Sequence, residues 1–230
     1  MTPTRLASRL ALAISALAVL AQPACKKVPG APVVVSGYTV VQGDKQVAQA
    51  GVLLPVPIVL RVIDANGDAI PGVNIVFAVA AGGGTVTPAS VVSDANGEVT
   101  VKWTLGTATP VQTLLASSGD KTPVMMFATG LFPAQIIAAQ GNNQTGKQGQ
   151  ALPNNVVIRV TGDNNIPLTG IPVQFQVTSG GGAISPQTAL TNAFGEVTVK
   201  WTLGTVVGFN AATATASTLS PVQLSATATP

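Results

Sequence analysis

The chain has 230 residues, of which only 8% are charged, and it contains one cysteine and no histidine. The absence of histidine excludes Ser-His-Asp and Cys-His catalysis and His-based metal sites. Because the acidic residues stand mostly in turn contexts, we expect no enzyme and no cofactor. The formal net charge of +3 is not concentrated in Lys and Arg clusters, which phosphate binding requires, so we expect no nucleic-acid partner.

Residues 1–24 predict a signal peptide. Arg5 and Arg9 precede an apolar run, residues 10–21, that is interrupted only by Ser15. A positive start followed by about a dozen apolar residues, too few to span a bilayer, is typical of an export signal. Its removal leaves nine basic against eight acidic residues. A retained membrane anchor is the alternative.

The single cysteine, Cys25, follows this run directly and resembles the lipid-attachment cysteine of bacterial lipoproteins. Ala24 fits the small residue expected before it, whereas Gln22 and Pro23 depart from the pattern. We therefore expect a membrane contact through a lipid anchor at Cys25 and a location at the outer membrane or cell surface. Ordinary cleavage, for example after Ala21, is the alternative, and it would give a secreted or periplasmic protein with a free thiol.

Residues 25–32 predict a short tether, and the rest of the chain is a tandem repeat with an offset of 98 residues. The run at residues 97–107 recurs letter for letter at 195–205, and the two copies align without a gap. The repeats, residues 33–130 and 131–230, are each of ordinary domain size. Alternating Val and Thr with regular Gly and Pro predicts an all-β class.

Each repeat predicts about seven strands. In the first repeat the strands lie near 34–42, 58–63, 73–79, 99–105, 112–117 and 124–129, with a loop at 43–51, turns at 64–68 and 94–97 and a break at 82–84. Trp103, Phe77 and their counterparts Trp201 and Phe175 fall on inward faces, which predicts core positions. A sugar-stacking tryptophan is the alternative.

Asp64, Asn66 and Asp68 have the alternate spacing with which a loop can offer oxygens to Ca²⁺. The second repeat lacks this set, and no bidentate glutamate follows in the first. The sequence therefore favours a plain turn and leaves calcium as a weak candidate.

A further pattern joins these segments in a fixed order. An apolar strand, an Asp-x-Asn-Gly turn, a Gly-Val-x-Ile-x-Phe strand, a Gly-Gly-Gly break and an Asp-Ala-Asn-Gly-Glu-Val-Thr-Val run follow one another. Over residues 33–229 the chain resembles the bacterial immunoglobulin-like domains of the invasin and intimin type. The resemblance implies two tandem immunoglobulin-like β-sandwiches used as rigid stalk modules on a bacterial surface, and it identifies no active site.

The sequence thus leaves three functions open: a surface spacer or display module, an adhesion module for a protein or glycan, and an accessory subunit of an enzyme. With an odd number of strands, a chain that enters a sandwich at one end leaves at the other. Anchoring at Cys25 then places the far end of repeat 2 outermost, with loops expected there at residues 141–155, 180–182 and 204–210. Asn142, Asn143 and Phe209 are the named candidate contacts in these loops. The alternative for Phe209 is that it begins a strand and packs inward.

Overall fold

The computed structural model of the chain describes residues 34–119 and 121–230. The predicted signal peptide, the tether and Cys25 lie outside the described residues. Nine strands form in each repeat. The strands of repeat 1 are Gly37–Gln42 (β1), Gln46–Gln49 (β2), Ile58–Ile63 (β3), Asn74–Ala81 (β4), Gly84–Thr87 (β5), Ser90–Val92 (β6), Glu98–Leu105 (β7), Val111–Ser117 (β8) and Val124–Leu131 (β9).

Repeat 2 has the same succession of strands, with one short 3-10 turn added at Asp163–Asn165. Its strands are Gln135–Gln140 (β10), Gln144–Lys147 (β11), Val156–Thr161 (β12), Pro172–Ser179 (β13), Gly182–Ser185 (β14), Thr188–Leu190 (β15), Glu196–Leu203 (β16), Gly208–Ala216 (β17) and Val222–Thr229 (β18). Residues 34–119 and 121–230 contain no helix that is long and apolar enough to cross a membrane.

Each repeat folds into two stacked sheets. In repeat 1 a four-stranded sheet has the order β1-β3-β7-β5, and a five-stranded sheet has the order β2-β9-β8-β4-β6. Repeat 2 repeats both orders as β10-β12-β16-β14 and β11-β18-β17-β13-β15. All pairs are antiparallel except β2 with β9 and β11 with β18. The predicted class, two tandem immunoglobulin-like β-sandwiches, is confirmed.

The number of strands differs from the prediction, since each repeat has nine rather than about seven. Three strands of repeat 1 lie outside the six segments located from the sequence: β2, which lies inside the segment predicted as a loop, and the short pair β5 and β6. They have three or four residues each and stand at the edges of the sheets. A strand of three or four residues is too short to show an alternating pattern in the sequence. Pairing with a longer neighbouring strand keeps it extended.

A separate hydrophobic core fills each sandwich. On β7, Val99, Val101, Trp103 and Leu105 all point inward and are buried, while the residues between them face out. The equivalent side chains of β16 are buried in the second core. A buried tryptophan removes roughly 150–250 Å² from water, so the identical run that occurs twice supplies the centre of each domain.

Candidate interaction surfaces

The aromatic residues of the predicted core are inaccessible to any ligand. Trp103 and Trp201 have no exposed surface, and Phe77 and Phe175 are 3% and 4% exposed. The two indole N–H groups have no hydrogen-bond acceptor within the described part of the chain. A sugar cannot stack on a fully buried ring, so binding must take place on other surfaces.

The candidate calcium ligand Asp64 is occupied by its own turn. One carboxylate oxygen of Asp64 accepts hydrogen bonds from the backbone N–H groups of Asn66 and Asp68, at 2.8 and 2.9 Å. Asn192 accepts two equivalent bonds in a turn of repeat 2. Because a neutral amide does this as well as a carboxylate, the arrangement requires no cation. Among residues 34–119 and 121–230, no group of three or more His, Cys, Asp and Glu side chains could hold a metal ion.

A buried amide side chain fastens the loop at one end of each sandwich. Gln112 is fully buried, and it accepts a hydrogen bond from the Gly106 N–H at 2.9 Å and donates to the Thr109 carbonyl at 2.5 Å. Gly106 itself is essential to this packing, because a Cβ there would lie 1.9 Å from a backbone oxygen of Gly82.

Asn210 is the counterpart of Gln112 in repeat 2. It is also fully buried, accepts from the Gly204 N–H and donates to the Gly208 carbonyl, both at 3.2 Å. Neither amide is among the residues that the sequence predicts to be important. The available signal was a polar residue on the inward face of an otherwise alternating strand.

The first candidate surface is the end of repeat 2 that lies opposite the junction of the repeats. The loop of residues 204–207 connects β16 to β17, and the other end of β17 reaches the cleft between the repeats at Ser217. A strand of nine residues separates these two ends by about 30 Å. The loop is therefore at the far end of repeat 2.

Three apolar side chains extend into solvent at this end: Val206 is 71%, Val207 51% and Phe209 64% exposed. We call these three residues the end patch. Phe209 does begin a strand, but its side chain lies on the outer face of the sheet and not in the core. The sequence places all three residues in the loop expected at this end, although Phe209 is the one that it names.

Asn142 and Asn143 lie beside β18 rather than in a loop at the end of the domain. The side-chain oxygen of Asn142 accepts from the Ser225 N–H at 2.9 Å, and Asn143 bonds the Ser225 hydroxyl. Ser225 is two residues before Thr227, the partner of Phe209, so these amides stand lower on the sheet. They fasten the crossing from β10 to β11. Asn143 and Phe209 do share a shallow cavity of about 100 Å³.

A second candidate surface is a groove of about 470 Å³ between β13 and β14. Exposed glutamines line it at positions 174, 176 and 187. The equivalent positions of repeat 1, at the offset of 98, hold Val76, Ala78 and Ala89. Primary amides both donate and accept hydrogen bonds, so this groove is suited to hydroxyl-rich or peptide ligands.

A third surface is the junction of the two repeats. Only Phe132, Pro133 and Ala134 separate β9 from β10. The side chain of Gln49 donates to the Thr169 carbonyl at 2.9 Å and accepts from the Thr169 N–H at 3.1 Å, so one amide pairs with both backbone groups of the opposite repeat. A mostly apolar cleft of about 280 Å³ lies beside this contact.

No family model matches the sequence, and no curated protein matches it. Similar solved structures include the D0-D1 domain of intimin, which is 21% identical, covers 84% of this chain and 95% of its own, and has a TM-score of 0.33. The adhesin InvE of Yersinia pseudotuberculosis is 19% identical with a TM-score of 0.42. Invasin, described as a bacterial integrin-binding protein, is 20% identical with a TM-score of 0.44.

InvE and invasin also cover 84% of this chain, but this chain spans only 59% and 39% of their lengths. Intimin and invasin are the proteins whose domains the sequence repeats resemble. Because these TM-scores are below 0.5, the assignment to tandem immunoglobulin-like β-sandwiches rests on the strand order and the two cores of this chain.

Proposed function

We propose that the protein is a non-enzymatic module of the bacterial cell envelope or surface, in which two sandwiches form a spacer anchored through Cys25. The junction carries this proposal. A connection of three residues that includes a proline restricts relative motion, and the paired hydrogen bonds between Gln49 and Thr169 add a second link. A spacer requires such a connection, whereas two independent binding domains do not.

The anchor is supported by the sequence that precedes the sandwiches. A signal-like apolar run ends at the single cysteine of the chain, and the first strand begins only twelve residues later, at Gly37. Acylation at Cys25 would place repeat 1 near the membrane and repeat 2 farther out. Among the described residues, the end patch of repeat 2 would then lie farthest from the membrane.

Metabolic labelling with a palmitate analogue tests the anchor. We expect the wild-type protein to incorporate the label and Cys25→Ser to lose it. A matched control combines Cys25→Ser with Ser36→Cys, which keeps one thiol in the chain but moves it away from the signal-like run. Equal labelling of wild type and Cys25→Ser contradicts the anchor, as does labelling of the control that carries the moved thiol.

A second candidate function, adhesion, is favoured by the end patch. The residues of repeat 1 equivalent to Val206 and Val207 are Ala108 and Thr109, in a loop whose Thr107 lines the junction cleft. The larger apolar side chains therefore occur in the copy whose loop is exposed at the end away from the junction. Exposed apolar clusters on a soluble domain commonly mark interaction sites.

Exchange of the end patch for the residues of repeat 1 tests adhesion without damage to the fold. The triple variant Val206→Ala, Val207→Thr and Phe209→Val should reduce capture of host-surface proteins or glycans while its melting temperature stays close to that of wild type. Phe194→Asn is the matched control, because it removes an exposed aromatic residue from a turn of the same repeat and restores the repeat 1 residue. Undiminished capture by the triple variant contradicts adhesion through this end.

A further inference from the structure

The outer faces of the two five-stranded sheets differ sharply, although the sheets have the same strand order. In repeat 1, Ala78, Leu115 and Met125 stand directly beside one another on three adjacent strands. Val76 lies two residues before Ala78 on β4, and Phe127 lies two residues after Met125 on β9. Both side chains face outward as well. We call these five residues sheet face 1, and they are all apolar.

The equivalent positions of repeat 2 are all polar. Gln176, Thr213 and Gln223 form the same row in the same register, and Gln174 and Ser225 complete the set. We call these five residues sheet face 2. The fold thus accepts polar side chains at each position, so the apolar residues of sheet face 1 are not required by the architecture.

Sheet face 1 is open to solvent over the width of its sheet. Val76 is 48%, Met125 56% and Phe127 42% exposed, and further exposed valines stand on the same side of the sheet at positions 47, 92 and 111. On the equivalent side in repeat 2, the large exposed apolar side chains are Leu190 and Phe209. Thr113, Thr129 and Asn74 stand between these valines and sheet face 1, so short polar side chains interrupt the apolar area. Exposed apolar side chains in this number on one sheet mark a surface that a partner covers.

The absence of charge on this sheet restricts the chemistry of that partner. None of the strands β2, β4, β6, β8 and β9 contains a charged residue. Asp44 and Lys45, of opposite sign, stand together at the β9 edge, where their backbone and side-chain groups bond Phe127. These strands offer no charged group to a charged ligand or an anionic lipid surface, whereas an uncharged apolar sheet is complementary to them.

A second copy of this chain offers such a sheet, and its area is close to what an interface needs. The five strands together contain 30 residues, which at a spacing of about 4.8 Å and a rise of about 3.3 Å per residue cover roughly 480 Å² before side-chain relief is counted. A stable interface of standard size buries about 800 Å² on each partner. The large apolar side chains that project from this sheet are 42–64% exposed and enlarge the area toward that size: Val47, Val76, Val92, Val111, Met125 and Phe127.

We propose that sheet face 1 is a self-association surface that joins two copies of the chain face to face through repeat 1. A twofold axis brings the same patch of each copy together, as in most homodimers. Two sheets that pack in this way place their side chains between one another, as the two sheets inside each sandwich do. Repeat 2 then remains free in both copies, because sheet face 2 is polar.

Analytical ultracentrifugation of the full chain over a range of concentrations tests this proposal. Cys25→Ser is present in every sample, so that neither a lipid nor a disulfide between copies contributes. We expect a reversible dimer with a dissociation constant in the micromolar range or tighter, as interfaces of this size give. A protein that stays monomeric throughout this range overturns the proposal.

The variant Met125→Gln with Phe127→Ser installs the two residues that repeat 2 carries at these positions. We expect it to weaken dimerisation by about tenfold or more, since large apolar side chains at the centre of an interface dominate its affinity. Phe209→Val tests whether the dimer forms through repeat 2 instead, because Phe209 lies on the equivalent side of the repeat 2 sheet. This variant should leave the dimer unchanged. A dimer that survives the double variant, or one that is lost with Phe209→Val, overturns the proposal.

Discussion

At the scale of single residues, alternation along a strand reports burial directly, and for that reason the core positions of Trp103, Trp201, Phe77 and Phe175 could be predicted. Gln112 and Asn210 could not, because an amide on an inward face is explained only by the loop groups that it bonds. Those groups lie at Gly106 and Gly204, and their positions depend on how the glycine-rich segments of both repeats pack together.

We predict that Trp103→Ala destabilises repeat 1, and Trp201→Ala repeat 2, by about 3–5 kcal/mol, the cost of truncating a fully buried aromatic side chain. These are the only two tryptophans. Each variant therefore leaves one fluorophore, which reports the unmutated repeat, while circular dichroism reports both. Phe194→Ala, at a residue that is 70% exposed, is the control. Negligible changes in urea unfolding for both tryptophan variants would contradict their burial.

The buried amide should matter as much as a core side chain of its size. We expect Gln112→Ala to lower the stability of repeat 1 by about 1–3 kcal/mol, because the N–H of Gly106 and the carbonyl of Thr109 lose their partner in a buried site. Gln42→Ala changes an exposed glutamine of β1 in the same repeat and should have little effect. If the two variants unfold at the same urea concentration, the bonds of Gln112 contribute nothing.

At the scale of elements, the long strands could be predicted because apolar and polar side chains alternate over six or more residues. The turns between them could be predicted from their Asn-Gly pairs. The short edge strands could not, since β2 is held by parallel pairing with β9, a contact that arises only after the sandwich has formed. Sheet face 1 was missed for a related reason. A strand that is apolar on both faces looks fully buried in sequence, and only the folded sheet shows that none of the described residues of repeat 1 covers its outer side.

The turn before the tryptophan strand depends on an oxygen and not on a charge. The carboxylate of Asp94 accepts from the N–H groups of Asn96 and Glu98, both at 2.8 Å, as Asn192 does in repeat 2. We therefore expect Asp94→Asn to leave the stability of repeat 1 nearly unchanged and Asp94→Ala to cost about 1–2 kcal/mol through two lost hydrogen bonds. Thermal unfolding of the three proteins measures both effects. Equal losses for Asn and Ala would show that the negative charge is required.

At the scale of the whole chain, one fold is used twice with different surfaces. Repeat 1 combines an apolar outer sheet with an end loop that lies next to the junction, and repeat 2 combines a polar outer sheet with an exposed, apolar end patch. The division of roles that we propose, with association through repeat 1 and recognition through repeat 2, rests on substitutions at exposed positions that leave strand order and register unchanged.

The last prediction concerns the junction. Gln49→Ala removes both hydrogen bonds to Thr169 but leaves the connection at Phe132, Pro133 and Ala134 intact. We expect the stability of each repeat to stay the same, because both bonds join one repeat to the other and neither lies within a repeat, while the two repeats sample a wider range of relative orientations. Small-angle X-ray scattering on a variant that is monomeric through Met125→Gln and Phe127→Ser measures this as a broader distribution of interatomic distances. Gln42→Ala in the same background is the control. If Gln49→Ala scatters like this control, the short connection alone sets the stiffness. A compact pair of sandwiches lying side by side in the monomeric variant, and also with Gln49→Ala or Gln42→Ala added, would contradict the spacer.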